Sequence, residues 1–191
     1  MDFFDVLRNR QSIRAFKKKD VEQEKIDIIL EAINSAPSAG DLQAYEIVVI
    51  RDQERRSALA EAALNQDFIA QAPLNLVFFI NPRRSARRYG QRGIRLYCLQ
   101  DATIAATYAQ LATTALGLGS VWVGAFNEES IMKLVDAKGD LVPVAIISIG
   151  YPDEEPEVTP RRRIEDIAHD EYISKPYKYT PSKLRLSRPA W

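Results

Sequence analysis

The 191 residues contain one cysteine, Cys98, and one histidine, His169. A disulfide framework within the chain is therefore impossible, and a reducing compartment, the cytoplasm, is the expected home. A histidine-rich metal site or a nucleophile–histidine triad has few builders, so an enzyme of this composition is expected to leave its chemistry to a bound cofactor. Neither Cys98 nor His169 falls in a motif, and both read as structural. An excess of one charge is also missing, because 26 Lys and Arg match 26 Asp and Glu. That balance argues against nucleic-acid or anionic-membrane partners, so an anion site must be local. No apolar run approaches the roughly 20 residues that span a bilayer. Met1 to Asp5 lacks a basic region leading into a hydrophobic one, so neither export nor membrane insertion is expected. Glycine is sparse, and none of it forms Gly-x-Gly-x-x-Gly after a strand or a Walker loop. Gly117 and Gly119 follow a helical segment and suit a helix C-terminus, so a Rossmann domain is not expected.

What is present is a 46% hydrophobic chain, enough for one domain, residues 1–191, with a substantial core. Phe3, Phe4 and Leu7 predict a short amphipathic helix. Asp20 reads as the N-cap of a second helix with Ile26, Ile29, Leu30 and Ile33 at helical spacing, stopped at Ala36-Pro37. A loop, Pro37 to Asp41, leads to a buried strand over Glu46–Ile50. Asp52 can cap a helix through Leu64, and Leu74–Ile80 is a second strand. From Ile94 to Leu116 a long helix carries Ala102, Ala105, Ala106, Ala109, Ala112 and Ala115. Such small residues admit another helix, either within the chain or across a dimer interface. Ser120–Phe126 reads as a strand opening into a loop, Asn127 as the cap of a further helix, and Val142–Ile149 as a third strong strand. After Gly150 the composition shifts: the last 41 residues hold six of the ten prolines, with Tyr151, Tyr172, Tyr177, Tyr179 and Trp191. So many aromatics suit an extended segment lying on folded surface, its own or a partner's.

The charged residues cluster. Arg10, Ser12 and Arg14 lie near the start, Arg161, Arg162 and Arg163 follow Pro160, and a third basic stretch runs from Arg83 to Arg95. A phosphate monoester is held by guanidinium forks and short hydroxyl donors, and the first cluster supplies both. A solvated charged surface explains any single cluster equally well.

Taken in order, Arg10-Gln11-Ser12-Ile13-Arg14-Ala15-Phe16, Ala36 to Gln43, Gly117 to Phe126, and Ile149 to Pro152 followed by Pro160-Arg161-Arg162 resemble the motif set of the FMN-dependent nitroreductase family. The resemblance spans nearly the whole chain. It implies an α+β fold with a central, mostly antiparallel sheet flanked by helices. It also implies an interlocked homodimer with FMN at the interface, each extended tail (151–191) reaching the partner. By resemblance, Arg10, Ser12, Arg161 and Arg162 hold the FMN phosphate, and Arg14 reaches the ribityl chain or pyrimidine edge. Pro37, Ser38, Ala39 and Asp41 belong to the loop that contacts FMN from the neighbouring subunit, and Gln43 matches a flavin contact. Gly124 and Ala125 match positions whose N–H groups face flavin N5, and Trp122 packs beside the ring or in the core. The implied activity is hydride transfer from NAD(P)H through FMN to an electron-poor acceptor, a nitroaromatic or quinone, by a ping-pong mechanism with no catalytic side chain and no metal. Two alternatives are kept. One is a relative using the same site for dehalogenation or flavin breakdown, with Arg83–Arg95 as its short lid. The other is a non-enzymatic flavin-storage protein. Three positions depart from the family: Asp41 for asparagine, Ala44-Tyr45 for proline-tryptophan, and Arg163 for proline.

Overall fold

The structure, a computed structural model, describes residues 1–180; Trp191 and the rest of the expected tail beyond 180 lie outside the described residues. The chain divides into two compact units, Arg10–Glu155 and the pair of segments Met1–Asn9 and Pro156 onward.

The larger unit is built on four antiparallel strands, β1 (Tyr45–Ile50), β2 (Leu74–Ile80), β3 (Gly119–Val123) and β4 (Val142–Gly150), in the order β1-β2-β4-β3. Side chains alternate across a pleated strand, and here both faces are covered. Leu74, Leu76, Phe78, Ala145, Ile147 and Ile149 pack on one side with α2 (Gln23–Asn34) and α6 (Cys98–Ala115). Val77, Phe79, Ile146, Val121 and Val123 pack on the other with α3 (Gln53–Ala62), α4 (Phe68–Gln71) and α7 (Glu128–Leu134). Double coverage is why β2 and β4 read as continuous apolar runs. A buried polar pair sits between them: Asn75 and Ser148 are register partners, the Ser148 hydroxyl donates to Asn75 Oδ1 at 2.6 Å, and Asn75 Nδ2 donates to the Ile69 carbonyl of α4 at 3.0 Å. The α+β class and antiparallel sheet are therefore as expected, but β1 is not a buried strand. It is an edge strand, with Glu46 and Val49 exposed.

Helix boundaries follow capping chemistry. Asp52 Oδ1 accepts the Arg55 N–H at 3.0 Å, and Asn127 Oδ1 accepts the Ser130 N–H at 2.8 Å, both as read from the sequence. Asp20 is not the cap of α2. Glu22 holds that extended position, because the chain first turns Val21 into the core. The predicted 94–116 helix is also divided: Gly93–Tyr97 is a π turn, and the α-helix begins at Cys98. Ala102, Ala105, Ala106 and Ala109 are fully buried within the one chain, so for those four the intramolecular reading holds. Ala112 is half-buried and Ala115 exposed.

The smaller unit contains α1 (Phe3–Asn9) and a C-terminal segment with little regular structure. In that segment a 3-10 turn at Ile164–Asp166 and a bridge between His169 and Pro176 are the recorded elements. Val158, Ile167, Tyr172, Ile173 and Tyr177 are exposed.

Candidate functional site

The Arg10–Phe16 segment lies beside β3. Ser12 pairs in parallel with Ser120, and the Ile13 N–H donates to the Ser120 carbonyl at 3.0 Å. Ile13 and Phe16 are buried in the core and Arg14 is exposed. The approach requires a bare α-carbon opposite: a Cβ on Gly119 would meet Ile13 Cγ1 at 2.7 Å. The segment then crosses to the end of β4, where Phe16 bridges Pro152 and Lys17 N–H donates to the Tyr151 carbonyl. The Glu154 carboxylate accepts the main-chain N–H groups of Arg14 and Ala15, a clamp with no signal in the sequence. The Arg14 guanidinium itself bonds to no described residue.

The Pro37–Gln43 loop is shaped by a backbone that side chains disfavour. Gly40, Asp41 and Gln43 have φ of 60, 57 and 45°. It is fixed from below by Asp101, the single charge on α6, which is 1% exposed and accepts the N–H groups of Ala39 at 2.8 Å and Ala44 at 3.2 Å. Ser38 Oγ accepts the Gln43 N–H, and the Gln43 amide donates to the Asn34 carbonyl and Oδ1. Burial pushes the Tyr45 phenol up from its ordinary pKa, and its hydroxyl donates to the Ile33 carbonyl. Pro37, Ser38 and Ala39 line a cleft of about 610 Å³ with Tyr97, Leu99 and Ile104. Asp41 is exposed on the rim of the loop.

At the end of β3, Trp122 is half-buried against the α2–α6 core, with Nε1 3.7 Å from where a Cβ on Gly124 would lie. Gly124 and Ala125 are exposed, and neither N–H is taken by another group among the described residues. Thus Ser12 and the Trp122–Ala125 turn are carried by the same edge strand, while the Pro37–Gln43 loop is anchored on α6. Arg161 and Arg162 belong to the smaller unit; Arg161 donates to the carbonyls of Thr159 and Pro160, and Arg162 to that of Asp166. Arg163, at one of the departing positions, forms a two-pronged pair with Asp166.

Two features lie outside the sequence reading's motif residues. Asp101 could have been found as a lone acid among alanines. The second is the covering of the loop by α5 (Pro82–Arg92): the Arg88 guanidinium donates to the Gly40 carbonyl at 3.3 Å. Cys98 is buried, its thiol pushed up by burial and donating to the Ile94 carbonyl at 3.1 Å, a packing role. Among the described residues no cluster of His, Cys, Asp or Glu could hold a metal ion, and no helix is long and apolar enough to cross a membrane.

The sequence model of the nitroreductase family matches residues 7–79 and 62–151. The FMN reductase [NAD(P)H] of Bacillus subtilis is 31% identical over 178 residues, covering 86% of this chain and 72% of its own. Among solved structures, the FMN-dependent nitroreductase of Clostridium difficile R20291 superposes with a TM-score of 0.69 at 32% identity, over 80% of this chain and 88% of that one. The NADPH:FMN oxidoreductase of Vibrio harveyi complexed with NAD+ superposes at 0.82 and 27% identity, over 93% and 79%. Matched along most of its length in sequence and in fold, the chain belongs to the nitroreductase family.

Proposed function

We propose that this protein is a homodimeric, FMN-dependent oxidoreductase that takes hydride from NAD(P)H and passes it to an electron-poor acceptor, a nitroaromatic or quinone, by a ping-pong mechanism. The observation that carries the reading is the pair of N–H groups at exposed Gly124 and Ala125, unbonded among the described residues, beside Trp122 at the end of the strand that holds Ser12. Fixed main-chain donors of this kind polarise a reacting centre without a titrating side chain.

The residues fit FMN. A phosphate of charge about −1.5 to −2 needs several charge-assisted hydrogen bonds. Arg10 and Ser12, with Arg161 and Arg162, are assigned to the phosphate, and Arg14, whose guanidinium has no partner among the described residues, to the pyrimidine edge. Pro37, Ser38, Ala39, Asp41 and Gln43 are assigned to the ring and ribityl chain of the neighbouring subunit's flavin, and Trp122 to the ring. The bound FMN would supply the centre that accepts hydride from one substrate and yields it to the next. The chain's own part is to bind, orient and polarise. Asp101 keeps the loop in its left-handed conformation, and Glu154 holds the main chain that presents Arg14.

The dimer has separate support. The exposed positions of α6 are Leu99, Gln100, Thr103, Thr107 and Ala115, none of them charged. Thr103 and Thr107 hydroxyls are turned back onto the Leu99 and Thr103 carbonyls, which satisfies them and leaves a face suited to a second copy.

Purified protein should be yellow and release FMN on denaturation, and anaerobic NADH or NADPH should bleach the flavin band. Bleaching with neither nucleotide sinks the oxidoreductase reading in favour of flavin storage.

A further inference from the structure

Between Asp67 and Asp101 the chain has no acidic residue, and α5 with the following π turn carries six arginines, Arg83, Arg84, Arg87, Arg88, Arg92 and Arg95. Two of them are committed elsewhere: Arg83 pairs with Asp140, and Arg92 donates to the Tyr97 hydroxyl at 2.9 Å. Arg84 and Arg88 are one turn apart, so their side chains are neighbours on one helix face, about 6 Å between β-carbons. That face meets the Pro37–Gln43 loop. Arg84 lines a cleft of about 260 Å³ with Asn34, Gln43, Tyr45 and Glu46, the last held by the Asn81 amide at 2.9 Å, and Arg88 rests on Gly40. A Cβ at Gly40 would meet the Tyr89 hydroxyl and Arg88 Nη1, the movable ends of two long side chains, so it is the φ of 60° that favours glycine there. The Arg84 guanidinium makes no hydrogen bond or ion pair with a described residue, and the Arg88 guanidinium makes one long hydrogen bond, to a carbonyl.

Nor is α5 a loose flap. Helical geometry breaks at Gly90 (φ 53, ψ −136°), and the chain folds back until Gly93 sits against Ser85, where a Cβ would lie 2.7 Å from the Ser85 carbonyl. Tyr89 and Tyr97 close the return edge to face at 5.0 Å. The Arg83–Arg95 stretch, the short lid of the dehalogenation or flavin-breakdown alternative, is thus braced at its backbone and carries its arginines on a defined helix.

We infer that Arg84 and Arg88 form a binding site for the phosphate monoester of a substrate that comes and goes over the Pro37–Gln43 loop. Two forks on one helix face match the oxygens of a dianion, and no carboxylate on α5 competes for them. Only the identity of the substrate rests on the oxidoreductase reading, under which two carry such a group: NADPH, with its 2′-phosphate, and free FMN arriving as acceptor.

The test uses the flavin-loaded protein, the Arg84→Gln/Arg88→Gln double variant, and Arg87→Gln as a control for lost charge. KM is measured for NADPH against NADH with menadione, and for FMN against riboflavin with NADH. Calorimetric titration with 2′-AMP against adenosine, and with FMN against riboflavin, reads binding without turnover. Wild type should favour the phosphate-bearing member of at least one pair by about tenfold or more, the double variant should lose that preference to within about twofold, and kcat and bound flavin should hold. Arg87→Gln should keep the preference. Loss in the nucleotide pair assigns the site to the donor, and loss in the flavin pair to the acceptor. No preference in either pair in wild type, or one that survives the double substitution, overturns the inference. If wild type turns over no pair, the oxidoreductase reading fails, and the titrations still decide whether the phosphate site exists.

Discussion

At the residue scale, what holds the site together is a small set of carboxylates, each receiving several donors. Asp101 is the clearest: two main-chain N–H groups of the left-handed loop end on one buried acid. Asp101→Ala leaves both donors unmet, so stability to denaturant should fall by about 1.5–3 kcal/mol, and flavin retention with it. Asp101→Asn, which keeps one acceptor, should lose less. Arg10→Ala should weaken FMN retention by about 1.5–3 kcal/mol, the worth of one charge-assisted contact, read as Kd by fluorescence on reconstitution. Unchanged Kd returns Arg10 to ordinary surface charge. Glu22 offers a pH test. The Tyr151 hydroxyl donates to its carboxylate, and Lys19 stands 3.2 Å away, so its pKa is lowered from an ordinary 4.5 to about 2. A depressed pKa means that the folded state holds the proton less tightly than the unfolded state. The contribution of Glu22 is thus complete above about pH 4.5 and lost as pH falls toward 2. The difference in melting temperature between wild type and Glu22→Gln should be largest near neutrality and shrink across that window. A constant difference would mean that Glu22 stabilises by packing alone.

At the element scale, the pairing of the Arg10–Phe16 segment with β3 positions Ser12 and Arg14, and its tightest point is Gly119 against Ile13. Gly119→Ala forces a clash at 2.7 Å and should cost about 1–3 kcal/mol of unfolding free energy. Ile13→Ala removes Cγ1, the atom at that contact, so it should cost less in the Gly119→Ala background than in wild type, and a double-mutant cycle measures the coupling. Additive effects would show that the two residues do not meet as described. This scale also marks where the sequence is legible. β2 and β4 declare themselves because burial on both faces demands unbroken apolar runs. The caps at Asp52 and Asn127 do so because a short acceptor must stand ahead of the first turn. Asp20 misleads because Val21 needs the core, which moves the helix start two residues on. The π turn over Gly93–Tyr97 is hidden inside helical periodicity, and its cause, the packing of Gly93 on Ser85, is tertiary. The motif residues are visible by type, but their anchors at Asp101 and Glu154 are not, because contacts spanning 62 and 140 positions leave no local pattern.

At the scale of the whole molecule, the unexplained surface is apolar and uncharged where a monomer would be wet. Leu99 is 42% exposed, followed along α6 by Thr103 and Thr107, whose hydroxyls are already satisfied. Water gains little from that face, whereas a second copy would bury it. The same face borders the cleft lined by Pro37, Ser38 and Ala39, so the proposed association along α6 would bring the loop of one copy against its partner and would couple oligomerisation to cofactor binding. A charge placed at its centre separates these consequences from folding, because Thr107 is exposed and its one side-chain bond, to the Thr103 carbonyl, lies within α6 itself. Thr107→Arg should therefore leave the circular dichroism spectrum unchanged and halve the mass found by light scattering. Bound flavin should fall in the same fractions, since the proposed contacts from Pro37 to Gln43 come from the partner. A Thr107→Arg monomer that keeps its full complement of flavin would place the whole site within one chain and refute the shared site.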